Sequence, residues 1–253
     1  MAFTLAVISD LHDAGADSGR AGEYGRILLT RVVRRLNRYV RPDAVAVLGD
    51  LLDDAGAPGA MERLAALKQV LGLLEAPVIV IPGNHDPEPG LFYQVFEKPP
   101  EHLDVGSVRL VPFVDPPEPG YNARRTPQDL ERMRAARRGH AGPIVCLQHV
   151  PVLPPGETPS PYNYTNVDEV LATMEEAGIT LAVGGHYHAG TELVRKGKSA
   201  FLAVKALFQP PFTYTLIRID GDRVELEEQR LQMPSGLGLG DLHSHSEFAY
   251  CGK

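Results

Sequence analysis

Side chains of metal-binding type stand at the ends of five short apolar runs. Ala6-Val7-Ile8-Ser9 leads into Asp10-Leu11-His12, and Ala46-Val47-Leu48-Gly49 into Asp50. Val80-Ile81-Pro82-Gly83 leads into Asn84-His85, and Val145-Cys146-Leu147-Gln148 into His149. Ala182-Val183-Gly184-Gly185 leads into His186-Tyr187-His188. Carboxylates, imidazoles and one amide oxygen, with no thiolate among them, suit manganese, iron or zinc. Asp10, His12, Asp50, Asn84, His149, His186 and His188, with Asp50 bridging, can hold two divalent ions roughly 3.5–4 Å apart. Such a pair outweighs the charge of two carboxylates. The surplus binds hydroxide and phosphate, and the ions lower the pKa of water toward neutrality.

The spacing states what must position these groups. Residues i and i+2 of an extended chain point the same way, so Asp10 with His12, and His186 with His188, can face one crevice. Open α/β sheets place their ligand crevice at the C-terminal edge of the strands. Glycines at 49, 83 and 185 let the backbone turn or approach closely before each ligand. Between the apolar runs, helical periodicity over residues 22–40 (Leu28, Val32, Leu36, Val40) and at Leu64, Leu67, Leu71 and Leu74 predicts helices. Alternating strands and helices indicate an α/β layer fold. Asn166 with Glu169 resembles a helix N-cap and its acidic N3 partner, and Gly178 stops that helix. Residues 87–142 are Pro-rich and expected to be irregular apart from a short charged helix at 128–138. Phe201–Leu207 and Phe212–Ile219 read as strands, and Asp220-Gly221-Asp222 as a hairpin turn.

The order Asp10-x-His12, Gly49-Asp50-x-x-Asp53, Gly83-Asn84-His85-Asp86, His149, Gly185-His186-x-His188 resembles the calcineurin-like metallophosphoesterases. Five blocks in this order are far more specific than any one alone. The resemblance implies one metal held by Asp10, His12, Asp50 and His188, and a second by Asp50, Asn84, His149 and His186. It implies that His85 contacts the phosphate and protonates the leaving oxygen, with Asp53 orienting it as a dyad. Attack by a metal-bridging hydroxide is the implied reaction. Asn84-His85-Asp86 is similar to the cyclic-nucleotide and small-molecule branch, with a phosphodiester or phosphomonoester such as a nucleotide as substrate. Manganese is favoured over iron and zinc. The implied fold is a four-layer α/β/β/α sandwich of two mixed sheets flanked by helices. The N-terminal strands are expected in a mostly parallel sheet and the C-terminal antiparallel strands largely in the other.

Simpler roles stand beside these. Asp86, followed by Pro87, reads as a turn residue. The stripe Arg31, Arg34, Arg35 and Arg38 reads as a solvated helix face. Tyr121, Asn122, Arg124 and Arg125 lie in the irregular loop and are candidates to grip substrate phosphate. A net charge of -7 disfavours nucleic acid as partner, and with it a nuclease. A non-catalytic scaffold on the same fold is the alternative from another class, against which the intact ligand set argues. Cys146 and Cys251 form no close-spaced motif and read as free thiols of a reducing compartment. With no signal peptide or membrane-spanning run recognised, the expectation is a cytoplasmic protein with no membrane partner, and self-association stays open. Residues 1–232 are expected to form the catalytic domain and 233–253 a tail. The tail's His243-Ser244-His245 looks like the opening of a polymerase-and-histidinol-phosphatase domain.

Overall fold

A computed structural model describes residues 2–15 and 21–231; the tail bearing His243, His245 and Cys251 lies outside the described residues. The strands are β1 (Phe3–Ile8), β2 (Ala44–Leu48), β3 (Val78–Ile81), β4 (Leu103–Val105), β5 (Val108–Pro112), β6 (Pro117–Glu118), β7 (Asn122–Ala123), β8 (Ile144–Leu147), β9 (Leu181–Gly184), β10 (Val194–Lys196), β11 (Ser199–Ala203), β12 (Thr213–Asp220) and β13 (Arg223–Arg230). The helices are α1 (Gly25–Arg35), α2 (Ala60–Leu71), α3 (Pro89–Val95), α4 (Pro127–Ala135) and α5 (Val167–Ala177). One sheet runs β13-β12-β1-β2-β3 and the other β10-β11-β9-β8-β5-β4, with β6-β7 a separate small hairpin.

Strand periodicity builds the layers. Leu5, Val7, Ala46, Leu48, Ile79 and Ile81 face Val145, Leu147, Leu181 and Val183 in a core between the sheets. The alternate residues Ala6, Ile8, Val45, Val47 and Val80 face outward onto Leu28, Val32, Leu64 and Leu67 of α1 and α2. On the far side Ile144, Cys146 and Ala182 pack on Leu130 and Met133 of α4 and Val170 and Met174 of α5. The strands named here are apolar on both faces because each face meets a different layer. This is the four-layer arrangement of two mixed sheets between helices. Arg34, Arg35 and Arg38 are exposed on the outer side of α1 and the turn that follows it. Among the described residues, no helix is long and apolar enough to cross a membrane.

Three expectations need correction. The C-terminal strands divide between the sheets. β10 and β11 join the second sheet, whereas β12 pairs antiparallel with β1 from Phe3↔Ile219 to Val7↔Thr215, and β13 follows it in the first. There β12 is apolar on both faces: Ile217 and Ile219 enter the inter-sheet core, Tyr214 and Leu216 the helix layer. Within 87–142, the stretch expected to be irregular holds α3, β4 and β5. Arg109 and Pro112 disguise β5, yet its side chains are buried, Arg109 included, with the Arg109 guanidinium on the Asp104 carboxylate at 2.7 Å and the Ala136 carbonyl at 2.8 Å. The helix ends follow local chemistry. Thr126 Oγ1 accepts from the Asp129 amide ahead of Pro127, starting α4, and Gly178 at φ 62° closes α5. Asn166 does not cap α5 with its side chain; it bonds the Glu169 carboxylate and the Arg125 main chain instead.

Candidate metal centre

The C-terminal ends of β1, β2, β3, β8 and β9 converge, and the backbone itself is bent to aim the side chains. Asp10, His12, Asp50 and His186 all adopt left-handed conformations, with φ of 54°, 46°, 52° and 63°. Non-glycine residues rarely do so, and such strain gathers at functional sites. The bent turns are tied together. The Asp50 carbonyl accepts from the Leu11 and His12 amides at 2.8 and 2.9 Å. The Asp10 carboxylate accepts from the His186 amide, and Asp50 Oδ1 from the His85 amide at 2.9 Å. Close approach explains two of the glycines. A Cβ on Gly83 would stand 2.2 Å from Asp50 Oδ1, and one on Gly185 would stand 2.5 Å from Asp10 Oδ2 and closer still to Ser9 Oγ.

Seven expected ligands meet in this crevice. Asp10, His12, Asp50 and His188 bring one donor atom each within 4.8 Å of one another, and so do Asp50, His149 and His186. Asp50 belongs to both groups: its Oδ2 lies 3.6 Å from His12 Nε2 and 3.3 Å from His149 Nε2. Asn84 Oδ1 lies 3.0 Å from His149 Nε2.

The protonation pattern tests whether a cation fits. His149 Nδ1 donates to the Leu48 carbonyl at 2.7 Å, and His186 Nε2 to the Tyr121 carbonyl at 3.0 Å. Carbonyls only accept, so those ring nitrogens carry the protons. When both rings are neutral they present lone pairs, His149 Nε2 and His186 Nδ1, at each other across 3.2 Å, beside two more acceptors in Asn84 Oδ1 and Asp50 Oδ2. Such a convergence is repulsive without positive charge and suits a divalent ion; outer partners of this kind orient histidine ligands. His12 Nε2 and His188 Nε2 face each other likewise at 3.1 Å. Titration reports the same field. Burial opposes charge on His149, but Asp50 beside it pushes its pKa up to about 9. Burial and His149 push His186 down to about 4. Burial opposes ionisation of Asp10 and Asp50, yet the surrounding histidines hold both below the usual carboxylate range.

Other expected residues take distinct places. His85 Nδ1 bonds the main-chain carbonyl of Asp53 at 2.7 Å, while the Asp53 carboxylate lies 3.7 Å from His12 Nδ1. The Asp53 carboxylate, His12 and His85 offer donor atoms within 4.8 Å of one another, so Asp53 faces His12 as well as its expected partner. Tyr121 borders the crevice and reaches His186 through its carbonyl. Asn122 closes its own hairpin, donating to the Pro119 carbonyl and accepting from the Asn163 amide. Arg124 is exposed and lines neither cavity described below, whereas Arg125 is wholly buried. Its guanidinium grips the Asp115 carboxylate at 2.7 and 3.0 Å and lies 3.6 Å from the Phe113 ring centre.

Three contributors were not read from the residues. Asp86 is more than a turn: its buried carboxylate accepts from the Leu51, Leu52 and Gly83 amides, joining the exits of β2 and β3. Burial and Asp50 push its pKa up to about 6. Phe208 packs on His12 at 4.7 Å and on His188 at 5.1 Å between ring centres, and Tyr162 on His186 at 4.5 Å. The only sequence signal for Asp86 is its place directly after Asn84-His85; the two aromatics come from distant loops and carry none.

The sheet layers thus deliver acid and histidine donors to one crevice, in groups that could hold divalent metal. Residues 3–190 match the family model of the calcineurin-like phosphoesterases, and the chain belongs to that family. Family members use a dinuclear divalent metal centre. The glycerophosphodiester phosphodiesterase GpdQ of Enterobacter lignolyticus is 30% identical over 173 residues, 62% of this chain and 60% of that protein. The chain thus spans about 60% of the length of this curated relative. A dimetal phosphatase from Danio rerio superposes with a TM-score of 0.73 at 15% identity, over 90% of this chain and 96% of that one. The purple acid phosphatase PPD1 of yellow lupin gives 0.63 at 14% identity, over 91% and 52%. At such identities these structures speak for the fold alone.

Proposed function

We propose that the chain hydrolyses a phosphodiester or phosphomonoester of a small molecule such as a nucleotide, with two divalent ions, manganese favoured. One site would comprise Asp10, His12, Asp50 and His188, the other Asp50, Asn84, His149 and His186. When bound, the ions supply Lewis acidity that makes water acidic and offsets charge on the phosphoryl oxygens. The chain's own part is orientation. Asp50 joins the two donor sets, and the Leu48 and Tyr121 carbonyls fix the tautomers of His149 and His186. His85 holds its Nδ1 proton against the Asp53 carbonyl, which leaves Nε2 to carry a second proton to the leaving oxygen. The likeness to a glycerophosphodiester phosphodiesterase favours a diester. We place the activity in residues 1–232 and in a reducing cytoplasm, in keeping with the buried free thiol of Cys146.

The observation that carries this reading is the four-acceptor convergence around His149 with Asp50 shared between both groups. The test is turnover of bis-p-nitrophenyl phosphate by protein stripped with chelator and reloaded with Mn²⁺. Restored turnover is expected. Fully metallated protein inert to both mono- and diesters would leave the non-catalytic scaffold instead.

A further inference from the structure

Beside the crevice lies a second and larger cavity, and the two share Asn84 and Tyr121 in their walls. The crevice holds about 330 Å³ and contains Asp50, His85, His186 and His188. Its neighbour holds about 940 Å³, has His149 and Asn84 in its wall, and extends under the β6–β7 hairpin. That volume is at the upper end for small-molecule pockets. A phosphoryl group bound at the metal centre would therefore have one ester substituent beside an open, preformed space.

The walls state what that substituent is. They are mostly apolar and ring-bearing, with Phe113, Tyr164 and several prolines. Among the described residues no lysine or arginine lines the cavity, and four carboxylates do. Three of those are engaged. Asp86 is held by three amides, Glu88 accepts from the Gly90 amide, and Asp115 is gripped by Arg125 and the Tyr164 hydroxyl. Glu118 also lines the space and has no ion-pair partner among the described residues. A second phosphate or a carboxylate would be desolvated there opposite a like charge with no cation to receive it.

We propose that this cavity is a specificity pocket for the second ester group of a phosphodiester, a bulky, ring-bearing group carrying no negative charge. The proposal rests on the phosphoesterase reading above and narrows it. Substrates with a further anionic group beyond the scissile phosphate, nucleoside diphosphates among them, are excluded.

The test uses symmetric diesters, so that either substituent presents the same group to the cavity: bis-p-nitrophenyl phosphate and bis(3-carboxy-4-nitrophenyl) phosphate. Wild-type Mn²⁺-loaded protein that turns over neither diester overturns this inference before any variant is made; the phosphoesterase reading falls with it only if p-nitrophenyl phosphate is inert as well. Given turnover, Glu118→Lys is expected to raise kcat/KM for the carboxylated diester about tenfold relative to the neutral one. The same factor on both probes overturns the proposal. Val114→Trp, which fills the cavity from a half-buried wall position, is expected to lower kcat/KM for the neutral diester about tenfold more than it weakens competitive inhibition by inorganic phosphate. Equal effects on the two overturn the proposal. Because Glu118 is a half-buried residue of the hairpin, its arm stands even if the tryptophan variant fails to fold.

Discussion

Asp50 illustrates how much the site demands of one residue. It adopts a left-handed backbone, accepts the Leu11 and His12 amides on its carbonyl, and sets Oδ2 between His12 and His149. Gly83 stands against it so closely that a single methyl group must displace it. Gly83→Ala should cost about 1–3 kcal/mol of stability, read by urea denaturation of metal-free protein. It should also weaken Mn²⁺ binding roughly 10–100-fold by calorimetry. Unchanged Mn²⁺ affinity would show that the Asp50 geometry is not critical. The role proposed for His85 makes a different kind of forecast. Loss of a general acid matters most when the leaving oxygen is basic. His85→Asn should lower kcat by about 10²-fold or more for an alkyl leaving group, and by much less for p-nitrophenolate. Equal losses with both would assign His85 to phosphate binding alone.

At the scale of elements, ligand order was legible because each donor follows directly on an apolar run. Those runs are strands with both faces covered, so they stand out as continuous Val, Ile, Leu and Ala. The residues that pack behind the ligands were not legible. Asp86 acts across the gap between two strand exits, and Phe208 and Tyr162 arrive from loops whose path no local pattern sets. Arg125 shows the same limit. Beside Arg124 in an irregular loop, it looked equally suited to gripping phosphate, yet it is buried against Asp115, Tyr164 and Phe113. That pair ties the loop before β6 to the one after β7, and the Tyr164 hydroxyl joins them to the loop after β8; Asp115, Thr126 and Tyr164 of these loops line the larger cavity. Asp115→Ala leaves the guanidinium buried without its counter-charge and should cost about 3–5 kcal/mol. Chemical denaturation measures it, and a loss below 1 kcal/mol would mean that water reaches Arg125.

The whole molecule is held by three apolar layers, and its strand order departs from expectation where hydrophobic pattern alone could not choose a sheet. β12 carries apolar residues on both faces, which suits a place in either sheet; its register with β1 decides the outcome. Cys146, between β8 and the α4–α5 layer, probes the integrity of that packing. Burial pushes its thiol up to about 12, against 9.0 for an ordinary thiol. The folded state therefore keeps a proton that the unfolded state releases first. This contribution is complete below pH 9 and is lost as pH rises from there through about 12. Cys146→Ala should remove that alkaline decline, seen as a smaller fall in denaturation free energy between pH 9 and 11 than in wild type. Folded protein should also resist iodoacetamide at Cys146 by peptide mapping until denaturant is added.

The central claim is that two donor sets share Asp50 and hold two ions at once. Metal content at saturation tests it most directly, measured by elemental analysis together with the Mn²⁺ EPR spectrum. Wild type should bind two Mn²⁺ per chain with a spin-coupled signal, and Asp50→Ala should lose the coupling together with diester turnover. Full activity with a single uncoupled ion, or a coupled pair that survives Asp50→Ala, would contradict the account.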